Sequence, residues 1–126
     1  MNKNEDLYAF QLKRKRDLFL SFFSEFTKDL DYFSSPISNF RTRAELGVHV
    51  NDSINFTMVK NNKKIFINTL KICDEKINNI INLLKKYVTD KESIKEKLFQ
   101  AEIQVARNGE GMVSLIYHKS LDTNWI

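Results

Sequence analysis

The chain has 126 residues, of which 42% are hydrophobic and 29% are charged, enough for one packed domain with a charged surface. Three Gly, one Pro and a single Cys exclude low-complexity classes and an internal disulfide framework. The net charge is +4, and the surplus lies in residues 41–126, because residues 1–40 carry six basic and six acidic side chains.

The N-terminal third predicts one long helix over residues 4–33. We expect its apolar stripe to face the core rather than a membrane surface, because the charges of this segment balance. Ser34-Ser35-Pro36 should end the helix, since Pro cannot continue it. The main stripe positions are Phe19, Phe22, Phe23, Phe26, Leu30 and Phe33.

The remaining two thirds alternate between strand and helix patterns. We expect strands at about 42–50, 54–59, 63–68, 99–106 and 112–118, with turns at Asn61-Asn62 and Asn108-Gly109. Helical spacing predicts a helix over 74–88 capped by Asp74, and a short helix over 90–98 that begins with a Thr89/Glu92 capping box. The expected fold is α+β: one domain, with an antiparallel sheet of about five strands and the long N-terminal helix and second helix packed on it.

Catalytic and metal-binding signatures are missing from the sequence. The three Gly, at positions 47, 109 and 111, build neither a phosphate-binding loop nor a dinucleotide fingerprint. Cys73 is expected to be a thiol partly buried at a helix entry, and His49 and His118 to be packed side chains. We therefore predict no metal site. The chain also has no long apolar run and no signal-peptide pattern, so we expect a cytoplasmic protein without a membrane span.

One face of the predicted sheet is polar. Arginine, glutamine and lysine side chains with nearby aromatic residues are suited to binding RNA. A sheet face exposed only to solvent would show the same pattern, so both interpretations stay open. The residues concerned are Arg41, Arg43 and His49 on the first strand, Gln100 and Gln104 on the fourth, and Lys60, Lys63 and Lys64 near a hairpin.

Three stretches resemble a known family. Ser34–Glu45 resembles the motif of uracil-C5 RNA methyltransferases, in which Ser-Pro leads into an aromatic-Arg-x-Arg strand. Lys97–Gln100 and Val113–Lys119, followed by Leu121-Asp122 and Trp125, are similar to the tRNA (uracil-5-)-methyltransferase branch, which makes ribothymidine in the T-loop.

The resemblance implies an S-adenosylmethionine-dependent parent enzyme with a cysteine nucleophile and a carboxylate base. In the family these groups lie in a C-terminal Rossmann-like domain. We therefore expect this chain to be the N-terminal tRNA-binding part, inactive alone and without a bound cofactor. Its expected partners are the tRNA T-arm and its own C-terminal methyltransferase domain. The alternative is a stand-alone protein-interaction or RNA-binding module.

The resemblance also implies roles for individual residues. Phe99 matches the family phenylalanine that inserts into the refolded T-loop when the target uridine flips out. Strand alternation, by contrast, puts Phe99 on the core side with Ala101 and Ile103. Leu46 and Gly47 stand where the family has an aromatic and an arginine. The RNA-binding residues implied are Arg41, Arg43, Phe99, Gln100, His118 and Lys119.

Overall fold

The computed structural model describes residues 2–125 and confirms the α+β class. Where composition predicts one domain, the chain divides between Phe40 and Arg41 into two compact units. The elements are α1 (Lys3–Phe23), β1 (Arg43–Val50), β2 (Ile54–Lys60), β3 (Lys63–Ile67), α2 (Glu75–Val88), α3 (Glu92–Lys95), β4 (Leu98–Val105) and β5 (Gly111–Tyr117).

The first unit contains α1, which is shorter than the predicted helix over 4–33. A capping box of Asn2 and Glu5 starts it, and it ends at Phe23. Beyond Phe23 the Thr27 hydroxyl bonds both the carbonyl and the N–H of Asp29, at 3.1 and 3.2 Å. Such local hydrogen bonds compete with those of a helix, so the chain leaves the helix well before Pro36.

Within the first unit, the predicted Phe stripe of residues 19–33 does not face a core. No residue of α1 is buried. Phe22, Phe26 and Phe33 are 69%, 82% and 93% exposed. The physical reason is size, because forty residues with one helix cannot enclose so many aromatic rings. The segment after α1 folds back and contacts the helix. Tyr8 donates a hydrogen bond to the Ser35 carbonyl, and the Arg16 guanidinium lies 4.9 Å from the Tyr32 ring centroid.

The second unit is one open antiparallel sheet in the order β3-β2-β1-β4-β5, with α2 packed on one face. The predicted strand bounds are right to within one or two residues, and the inward positions of α2 are buried or half-buried as its helical spacing predicts. The largest buried side chains are Phe56, Leu46, Ile54, Ile77, Ile81 and Ile103.

Helix caps and turns follow the local sequence with one exception. Asp74 caps α2 by accepting a 2.9 Å hydrogen bond from the Lys76 N–H. The capping box predicted for Thr89 is wrong, because the Thr89 hydroxyl accepts instead from the Ile54 N–H at 3.3 Å. The short helix that follows covers only Glu92–Lys95.

Both predicted hairpin turns are confirmed. Asn61 and Asn62 have φ of 50° and 59°, the left-handed values that a tight two-residue hairpin turn requires. Gly109 has φ of 95°, where a side chain would be strained.

Candidate nucleic-acid interface

The candidate interface is the sheet face opposite α2, which we call the outer face. Strand pairing places Phe66, Thr57, Gly47 and Gln100 in one row across β3, β2, β1 and β4. The row continues to Ile116 on β5. Neighbouring positions along each strand alternate between this face and the core, so the polar face predicted from β1 and β4 is confirmed as a surface.

A β-bulge decides where Phe99 points. The β4–β5 register shifts between Leu98 and Gln100, so Phe99 is an extra residue without a partner in the ladder. Leu98 is 4% exposed and takes the core position, whereas Phe99 is 47% exposed. The core position that alternation predicts for Phe99 is therefore wrong, because the bulge reverses the alternation at this point.

The Phe99 ring contacts His118, and the two ring centroids lie 4.1 Å apart with an interplanar angle of 61°. The backbone N–H of His118 donates to the backbone carbonyl of Lys97 at 3.0 Å. This bond connects the end of β5 to the residue that precedes β4 and its bulge. Two of the predicted RNA-binding residues thus form one aromatic pair at the edge of the outer face. Gln100 follows Phe99 on β4, in the row of Gly47.

Arg43 lies on the outer face between two carboxylates. Its Nη2 is 2.8 Å from Glu45 Oε1 and 3.5 Å from Glu102 Oε2. The Gln100 amide donates to the other oxygen of Glu102, Oε1, at 3.2 Å. Arg43 therefore orders this network, and its guanidinium is shared with acidic partners.

Arg41 lies before β1 rather than within it. Its N–H donates to the Ile72 carbonyl and its carbonyl accepts from the Asp74 N–H, each at 2.8 Å. Its side chain lines a cavity of about 380 Å³ together with Arg43 and Cys73. The structure thus brings the two arginines to one cavity, which shares Glu45, Leu46 and Met58 with the depression beside Phe99.

Lys119 forms an ion pair with Glu96, with Nζ 2.7 Å from Oε2. This hydrogen bond and the lysine charge lower the pKa of Glu96 from its ordinary value of 4.5. The same bond raises the pKa of Lys119 above 10.5. Lys119 follows His118 directly in the chain, and its ammonium group is held by Glu96.

Cys73 is buried at 1% exposure, and burial raises the pKa of its thiol against the opposing effect of Arg41. A thiol in this state is a poor nucleophile. Within residues 2–125, no group of three or more His, Cys, Asp or Glu side chains could hold a metal ion. None of the helices described there is long and apolar enough to cross a membrane.

Sequence reasoning missed one aromatic residue of the outer face, Phe66. Phe66 is 64% exposed, and its ring lies 5.8 Å from that of His49 in an edge-to-face arrangement. Gly47 also lies on this face, where a Cβ atom would come within 2.6 Å of the Thr57 hydroxyl oxygen. The alternation of β3 would have placed Phe66 on the same face as Lys64, and that signal was available in the sequence.

Comparison with known proteins gives the family. The family model described as tRNA (Uracil-5-)-methyltransferase matches residues 7–126. A tRNA/tmRNA (uracil-C(5))-methyltransferase of Aliivibrio fischeri (strain MJ11) is 32% identical over 97% of this chain and 34% of its own length. Its counterpart in Campylobacter jejuni (strain RM1221) is 38% identical over 88% of this chain and 32% of its own length.

The chain therefore spans about a third of the length of the curated relatives that it matches. The family match includes both of its units, from within α1 through the sheet to the C-terminal end. The chain belongs to the tRNA (uracil-5-)-methyltransferase family.

Proposed function

We propose that this chain is the N-terminal tRNA-binding part of a tRNA uracil-C5 methyltransferase. Its outer face would grip the T-arm, and Phe99 would insert into the T-loop when the target uridine flips out. The observation that carries the proposal is the bulge in β4, which turns a large aromatic ring away from the core. Extruding a base costs stacking energy, and a ring inserted in its place offsets part of that cost.

The other predicted residues have supporting roles in this proposal. His118 holds the Phe99 ring from one side, and Gln100 offers an amide next to it. Lys119 contributes positive charge near the same edge, and Arg41 and Arg43 bind phosphate or order the surface. A tRNA substrate would place the protein in the cytoplasm.

The described residues do not fit a site for S-adenosylmethionine. Gly47 lies within β1, Gly109 in a hairpin turn and Gly111 at the start of β5, so none of the three opens a strand-to-helix loop. We therefore assign methyl transfer, its cofactor and its catalytic cysteine to a part of the enzyme outside these 126 residues. The isolated chain would bind RNA without methylating it.

The proposal is tested by measuring how the chain binds a fluorescent T-arm hairpin RNA. Binding should weaken as salt rises, because phosphate contacts release counterions. Phe99→Ala should weaken binding about tenfold or more, since one aromatic–base stack contributes about 1–3 kcal/mol.

Tyr87→Ala is the matched control, because Tyr87 is an exposed aromatic residue of α2, away from the outer face. Equal affinities of Phe99→Ala and the unmodified chain would refute the insertion of Phe99. If the unmodified chain does not bind the hairpin even at low salt, the tRNA-binding proposal fails.

A stand-alone protein-interaction module is the second candidate function. The exposed aromatic side chains of α1 favour it, because large apolar patches commonly mark protein contacts. Failure of the chain to bind T-arm RNA would favour this candidate over the first.

A further inference from the structure

A depression of about 400 Å³ lies in the middle of the outer face. It lies beside the Phe99–His118 pair, and Phe99 forms one of its walls. The side chains that line it on the outer face are Glu45, Thr57, Val59, Lys64, Phe99 and Gln100.

Gly47 and Thr57 lie next to each other among the residues that line this depression. Gly47 stands between Thr57 and Gln100, at a position whose neighbours on the same face of β1, Glu45 and His49, carry full side chains. A Cβ atom at position 47 would lie 2.6 Å from the Thr57 hydroxyl oxygen, closer than such atoms approach in proteins. The buried Thr57 hydroxyl therefore occupies the space that a side chain at position 47 would take, and a larger residue at position 47 would have to displace it.

The rim of the depression carries charges of both signs. Lys64 makes no ion pair with any residue in 2–125, and its side chain is exposed. The carboxylate of Glu45, which also lines the depression, is held by Arg43 at 2.8 Å. Arg43 is shared between Glu45 and Glu102, whereas the ammonium group of Lys64 is available to an anionic ligand.

The walls suit a nucleobase. Phe99 and Val59 offer apolar surface for the faces of a base, and Gln100 offers an amide for its edge. The side-chain amide N–H of Gln100 donates to Glu102. The side-chain amide oxygen of Gln100 therefore remains free to accept a hydrogen bond from a base. Phe66, paired with Thr57 on β3, adds a second exposed ring beside the depression.

We propose that the depression over Gly47 binds one unstacked nucleobase of an RNA, with Lys64 binding the adjoining phosphate. This inference rests on the proposed tRNA-binding function and adds a base site distinct from the insertion of Phe99 into the T-loop. A base followed by a phosphate matches the two parts of the site, a flat socket next to one cation.

The phosphate contact is tested with Lys64→Gln against Lys63→Gln. The two lysines are consecutive on β3, so their side chains leave opposite faces of the sheet while the change in charge is the same. With the T-arm hairpin, Lys64→Gln should weaken binding several-fold and lower the salt-dependence slope by about one, as loss of one phosphate contact does. Lys63→Gln should keep the original slope, and equal effects of the two variants would overturn the assignment of Lys64.

The base socket is tested by filling it. Gly47→Leu combined with Thr57→Ala places a side chain in the depression, and the Thr57 change removes the oxygen that a Cβ at position 47 would meet. Thr57→Ala alone is the control, and thermal unfolding of both variants shows that they are folded. The filled variant should bind the hairpin about tenfold more weakly than the control, in line with loss of one stacked base.

The outcomes separate this inference from the proposed function. If Phe99→Ala weakens binding and the filled variant binds like its control, the tRNA-binding function stands and the base socket is refuted. If the unmodified chain does not bind the hairpin at all, both proposals fail together.

Discussion

Trp125, Tyr117 and Ile94 form a chain of hydrogen bonds that fixes the end of β5. The Trp125 indole N–H donates to the Tyr117 hydroxyl at 2.8 Å, and that hydroxyl donates to the Ile94 carbonyl at 2.7 Å. Burial raises the pKa of Tyr117, so its hydroxyl stays protonated as a donor. His118 and Lys119 follow Tyr117 directly in the chain.

The ion pair of Lys119 with Glu96 makes a small part of the stability depend on pH. Because folding lowers the pKa of Glu96, the pair stabilises the fold above the ordinary carboxyl pKa of 4.5, and this contribution is lost as the pH falls through the lowered value. Glu96→Gln and Lys119→Gln should each remove this step from a plot of the urea midpoint against pH. A profile unchanged in both variants below about pH 5 would contradict the coupling.

The bulge in β4 places Phe99 on the candidate binding surface, although the alternation of apolar residues in β4 predicts a core position for it. Lys97 precedes it with φ of 59°, a left-handed value that is uncommon for a residue with a long side chain. Strained backbone of this kind often lies at functional sites. Lys97 and the bulge together bring Leu98 into the core and leave Phe99 on the outer face.

Truncation of two neighbouring residues tests this geometry. Leu98→Ala should cost about 2–5 kcal/mol of unfolding free energy, because it leaves a cavity in the core. Phe99→Ala should cost about 1 kcal/mol or less, since it removes a half-exposed ring and one aromatic contact. Urea unfolding measures both. The reverse order would mean that Phe99 is the core residue and that β4 has no bulge.

On the scale of the whole molecule, packing is unevenly distributed between the two units. Every buried hydrophobic side chain described here lies between Ala44 and Val105. Within the first unit, aromatic rings are exposed, and the contacts that return to α1 include that of Arg16 with Tyr32. The two units should therefore differ sharply in their own stability.

A chain of residues 41–126 should unfold cooperatively with a thermal midpoint close to that of the full chain, because it keeps the whole sheet, α2 and the core. A peptide of residues 1–40 should show no cooperative transition, since one helix without a buried face is marginal in water. Differential scanning calorimetry measures both. Loss of the transition in the shorter chain would show that the first 40 residues are needed for the fold.

The sequence by itself determined the elements of the second unit and the family. Alternation, turn residues and helical spacing are local properties, so five strands, α2 and the turns at Asn61-Asn62 and Gly109 follow from them directly. The same local signals predicted which face of β1 is polar. Helical spacing also predicted the Phe stripe of residues 19–33. Such spacing indicates only that the residues would share a face of a helix, and it does not indicate what that face contacts.

Tertiary structure decided what those faces meet. Whether the stripe of α1 is buried depends on what packs against it, and the chain after Phe23 leaves it exposed. A bulge depends on the register between β4 and β5, which involves residues far apart in the chain, so alternation within β4 alone placed Phe99 on the wrong face. The depression over Gly47 likewise forms where pairing of three strands brings Thr57, Gly47 and Gln100 side by side, which no local pattern in the sequence shows.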